Sequence, residues 1–170
     1  RLQSAATFEN ACSQAQVQHL IHHDKSVALQ ELLKETVYSD LVIIAANETL
    51  SRREETKPTQ FVKEVLLDVQ CPALVVPEVY QPMEKLIILY NGEPSSVYAA
   101  KMVSYLLPEM RSLPTDVVTV LPPNSTVPAL PEKRLAKEFI SCHFPDAEIK
   151  ILTGDPDAEV LQYLSGQKNA

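Results

Sequence analysis

Apolar and polar positions along this chain follow two rhythms, and the switches between them lay out its elements. Residues 2–14 read as a helix, residues 17–22 (VQHLIH) as a strand, and residues 26–36 as a helix with Ser26 at its N-cap. Asp40 leads into LVIIAA, a continuous apolar run of the kind buried on both faces of a parallel sheet. Residues 47–57 are polar. Pro58 suits the first turn of a helix that runs to Val69, with Phe61, Val65, Leu66 and Val69 as its apolar stripe. Residues 73–76 close this series as a strand.

The rhythm then restarts. Residues 86–90 read as a strand, 94–107 as a helix, 117–121 as a strand, 132–142 as a helix and 148–152 as a strand, with a last helix from Asp157. Strands alternating with helices of this length make βαβ units, so the class is α/β, with a parallel sheet flanked by helices. The spacer VPEVYQPMEK, between residues 73–76 and 86–90, has no Asn-Gly, no Asp-Gly and no glycine at all. Pro77 and Pro82 instead remove donors and favour an extended crossing, which speaks against a hairpin.

Sliding the chain on itself by 131 positions sets Phe8 on Phe139, Leu20 on Ile151, Ile21 on Leu152, Asp24 on Asp155, Leu29 on Val160 and Leu33 on Leu164, without a gap. The helix–strand–helix order agrees in both copies. On this register the first copy lacks its opening strands and the second its closing ones, so the chain reads as a fragment of a longer tandem protein.

Composition narrows the classes. The chain has 170 residues, enough for one domain or two small ones, is 45% hydrophobic, and carries a net charge of -7 without any tryptophan. No apolar run approaches the roughly 20 residues of a membrane span. No basic stripe suits nucleic acid. Cys12, Cys71 and Cys142 are far apart and odd in number, which is read as free, buried thiols in a reducing cytoplasm. The three glycines, Gly92, Gly154 and Gly166, all fall in the second half. A phosphate-cradling loop needs glycine so that backbone N–H groups can approach the anion, so the first half carries none.

Several stretches taken together resemble the universal stress protein family. SDLVIIAAN, a helix and CPALVVPE resemble the fourth strand, last helix and fifth strand of one such domain. EKLIILYNGEPSSVYAAKMVSYL resembles the first strand and helix of another, and LTGDPDAEVLQYL its third strand and helix. The likeness covers nearly the whole chain and divides it into residues 1–79, the C-terminal part of a first domain, and 84–170, the N-terminal part of a second. It implies a Rossmann-like, five-stranded parallel sheet in the order 3-2-1-4-5. It also implies a cytoplasmic stress-response role that is non-enzymatic and works through dimerisation or partner binding, as a homodimer or a strand-exchanged oligomer.

The alternative is an adenine-nucleotide (ATP or AMP) binding module with its site in the second domain. ATP-binding members carry a glycine-rich loop after the fourth strand. Here that place, residues 46–59, has no glycine, and Glu48, Glu54 and Glu55 would repel a triphosphate. In the second domain the candidate contacts are Asn91, Gly92, Ser95 and Ser96. Asn91 stands where the resemblance expects an aspartate. Gly92 lets the backbone approach a ligand, and a serine at a helix N-terminus can bind an anion. The same residues also serve as a turn glycine and helix caps. A redox or nucleotidyl-transfer enzyme on a related fold would need a catalytic signature that this sequence does not carry.

Other clusters read as structural. His19, His22, His23 and Asp24 suggest a metal, but successive strand residues point to opposite faces. Cys142 and His143 are neighbours on a helix, where adjacent side chains diverge. The charged stretch SRREE (residues 51–55) reads as a solvated loop in which Arg52 and Arg53 pair with their own glutamates. The apolar edges left by incomplete sheets predict that residues 86–90 lie beside residues 41–46, by exchange between chains rather than closure within one.

Overall fold

The computed structural model describes residues 2–22, 28–51, 55–125 and 130–167. Helix α1 (Leu2–Gln14) opens the chain, followed by α2 (Ala28–Thr36), strand β1 (Val42–Ala45), α3 (Gln60–Asp68) and β2 (Ala73–Val76). The second series is β3 (Leu86–Leu89), α4 (Pro94–Leu106), a 3-10 turn at Pro108–Ser112, β4 (Thr115–Leu121), α5 (Lys133–His143), β5 (Glu148–Thr153) and α6 (Pro156–Ser165). The fold is α/β, with parallel sheets flanked by helices.

The strands form two sheets among the described residues. One is β1-β2, the other β3-β4-β5, and every pairing is parallel. Strand β4 lies between two neighbours and is buried along nearly its whole length. Its Val117 packs with Ile88, Tyr90, Ala100, Ala136, Ile140 and Phe144 in a core closed by α4 and α5. The first sheet has a much smaller core, in which Ile44 meets Val62 and Val65 of α3, with Leu29 and Leu32 of α2 at its margin.

Local chemistry fixes the element ends. Thr59 caps α3 by accepting from the Val62 N–H, while its hydroxyl donates to the Glu48 carbonyl and its N–H to Ala46 at 3.3 Å. Thr59 thereby ties the start of α3 to Ala46 and Glu48 after β1. Glu55 accepts from the Gln60 N–H at 2.8 Å and from Thr49 at 2.7 Å; these bonds hold its carboxyl below the ordinary value. Thr36 joins α2 to the end of α3, donating to Leu33 and accepting from the Gln70 N–H at 3.2 Å.

Several expectations are corrected. Residues 17–22 form no strand. In the aligned second copy, β5 takes its hydrogen bonds from β4, whereas no strand stands beside residues 17–22 among those described, and an extended segment alone leaves its backbone unpaired. The run LVIIAA is not buried on both faces: α2 and α3 cover one, and Ile43 on the other is 64% exposed. In α3 the innermost residues are Val62 and Val65, while Leu66 faces outward. Pro58 lies just outside that helix, before the cap. Strands β3 and β1 sit in separate sheets within this chain. Ser26, Arg52, Arg53 and Glu54 lie outside the described residues.

Candidate functional site

Strand β3 ends at Leu89, and the chain passes through Tyr90, Asn91, Gly92 and Glu93 into α4, whose first residue is Pro94. The turn is self-contained. The Asn91 carboxamide oxygen accepts from the Glu93 N–H at 3.0 Å, and the Ser96 hydroxyl donates to the Glu93 carbonyl at 2.8 Å. Gly92 has φ 86, and a Cβ there would come within 2.5 Å of the Pro131 Cβ. The glycine therefore admits the Pro131 segment, and the Tyr90 hydroxyl donates to the Pro131 carbonyl at 3.2 Å. Of the four candidate residues, Gly92 and Ser95 line a common cleft, whereas the Asn91 carboxamide oxygen and the Ser96 hydroxyl are engaged in the turn.

That cleft has a volume of about 850 Å³. It runs between α4 and α5 and is walled by Val97, Tyr98, Leu135, Ala136 and Phe139, with Tyr90 at its inner end. Two charged side chains reach it, Lys101 from α4 and Glu132 from the start of α5. Burial pushes the Tyr90 phenol up, and the Glu132 carboxylate adds to the shift.

Below the cleft, α4 and α5 are tied by a contact between residues 39 positions apart: the Ser104 hydroxyl stands 2.8 Å from His143 Nδ1. The His143 ring packs on Phe139 and Tyr105, and Arg111 donates to the Cys142 and His143 carbonyls at the end of α5. Burial, then the charges of Arg111 and Lys101, lower the His143 pKa. A serine beside a histidine suggests a nucleophile and its base. Here the hydroxyl is buried within α4 and within 2.9 Å of the Lys101 carbonyl, and among the described residues no carboxylate bonds the ring. The pair is a helix-to-helix tie that no local sequence signal announces.

At the opposite end of the sheet, Asp116 is only 4% exposed, receives the Lys85 ammonium at 2.5 Å and accepts from the Tyr163 hydroxyl. Burial alone would raise its carboxyl; the bonds from Lys85 and Tyr163 and the charges of Lys85 and Lys150 hold it below the ordinary value. Burial and this carboxylate push the Tyr163 phenol up to about 12.

The remaining candidates separate. His22 Nδ1 lies 2.6 Å from a Glu35 oxygen and His19 Nδ1 3.3 Å from the Val17 carbonyl, while His23 and Asp24 lie outside the described residues. The cysteines are free, but Cys142 is exposed and Cys71 only half-buried, which corrects the expectation of buried thiols. Cys142 sits on the outer face of α5, whose buried side is given by Ala136 and Ile140. No protein-family model matches this chain, and no curated protein matches it either. No described helix is long and apolar enough to cross a membrane.

Proposed function

We propose that this chain is an α/β protein of the universal stress type, whose part in a stress response rests on association with a second copy rather than on catalysis. The observation that carries this reading is the open edge of β1. The two-stranded sheet is covered by helices on one face, its other face leaves Ile43 largely in solvent, and among the described strands only β2 pairs with β1. Val42 and Ala46 donate to Pro72 and Val76 on the β2 side, so the alternate N–H groups of Ile43 and Ala45 point to the open side. Strand β3 is built the same way: Leu86 and Tyr90 donate toward β4, and Ile87 and Leu89 point outward. Joining β1 of one copy to β3 of another completes a five-stranded sheet and removes both edges.

Light scattering coupled to size exclusion tests this. The wild type is expected to run as a dimer, and Ile43→Pro as a monomer, because proline deletes an outward donor without touching the β1-β2 ladder. A wild-type chain that stays monomeric up to its solubility limit would overturn the proposal. The adenine-nucleotide alternative draws less support, because the Asn91 carboxamide oxygen and the Ser96 hydroxyl are engaged within their own turn and the space beside Gly92 is taken by Pro131.

A further inference from the structure

The cleft between α4 and α5 combines three features that no structural role absorbs. Its volume of about 850 Å³ lies in the range of small-molecule sites, roughly 300–1,000 Å³. Its walls are apolar and incompletely covered, with Tyr98 and Leu135 still 52% and 53% exposed. Lys101 is half-buried among them, and among the described residues no carboxylate pairs with it. A lysine beside apolar and aromatic walls, with no carboxylate of its own among the described residues, is a partner for an anion placed against it.

The cleft holds one charge of each sign, Lys101 from α4 and Glu132 from the start of α5. A single anionic group is matched by the one cation, whereas a polyphosphate would meet one cation and one carboxylate in the same cleft.

We propose that this cleft binds an apolar aromatic monoanion, a carboxylate or sulfonate, with its charged group on Lys101 and its ring between Tyr98 and Phe139. The apolar walls supply the binding area, Lys101 sets the orientation, and Glu132 discriminates against polyanions.

The probe is 8-anilinonaphthalene-1-sulfonate, titrated into the full chain and followed by fluorescence, with 1-naphthoate and ATP as competitors. Saturable one-site binding is expected, with displacement by naphthoate and not by ATP. Lys101→Met is expected to weaken binding roughly tenfold, the loss of one charge-assisted hydrogen bond, while Lys101→Arg retains it. Leu135→Asp, on the exposed wall, is expected to abolish it with the circular dichroism unchanged. Equal binding by Lys101→Met and wild type, displacement by ATP as effective as by naphthoate, or no saturable binding would each overturn the proposal.

Discussion

Gln16 lies in the left-handed region at φ 55, and closes α1 with bonds from its own N–H to Ser13 and from Val17 to Cys12. That geometry ordinarily takes glycine, and the first half of this chain has none. Gln16→Gly should therefore strengthen the end of α1 by about 1 kcal/mol, read as slower amide exchange in its last turn; unchanged or faster exchange would contradict the argument. The Lys85–Asp116 pair is the residue-scale feature with the largest stake. Lys85→Met leaves a buried carboxylate with the Tyr163 hydroxyl and the more distant charge of Lys150, and should cost about 2–3 kcal/mol in urea unfolding. Because the folded carboxyl titrates below its unfolded value of about 4, its contribution is complete above that pH and is lost as pH falls through the folded value. Wild-type stability should drop more steeply below about pH 4 than that of Asp116→Asn; parallel curves would refute the assignment.

At the scale of elements, periodicity served best where an element is held by its own pattern. Helices α1 and α4 and strands β2, β3 and β5 fall within a residue or two of the sequence-based bounds. It failed where an element needs a neighbour. Residues 17–22 have a strand pattern but no adjacent strand among the described residues, and Val17 and Leu20 remain in solvent. The outward donors of Ile43 and Ala45 belong to the same scale. Under the proposed β1-to-β3 pairing Ile43→Pro acts on association alone, so its β1-β2 amides should keep wild-type exchange rates under dilute conditions. Their loss would mean that the substitution breaks the strand itself rather than its open edge.

For the molecule as a whole, two series of elements meet at residues 77–85, a stretch without helix or strand in which Tyr80 is 82% exposed. The series after it owns a three-stranded sheet and the larger core; the series before it has a two-stranded sheet and three buried core residues. Brief chymotrypsin treatment should cut first at Tyr80. The piece containing β3 to α6 should remain folded by circular dichroism and the other should lose structure. Early cuts inside β4 or α5, or unfolding of the larger piece, would show that the two series stand only together.

The sequence by itself determined the α/β class, most of the bounds of the elements apart from the strand expected at residues 17–22, and the lack of glycine after β1, because each depends on side-chain period or on backbone freedom within a few residues. Only the tertiary structure decided the rest. It showed that Gly92 makes room for Pro131, that Ser104 meets His143, that Asp116 is held by Lys85 and Tyr163, and that Lys101 enters an apolar cleft. Those contacts join side chains some 30 to 50 positions apart, as in the 39 between Ser104 and His143 and the 47 between Asp116 and Tyr163, and no local period encodes which of them converge. The exposure of Ile43 was hidden for the same reason: an apolar run records what a strand can bury, and the presence of a covering layer is decided by the packing of other elements against it.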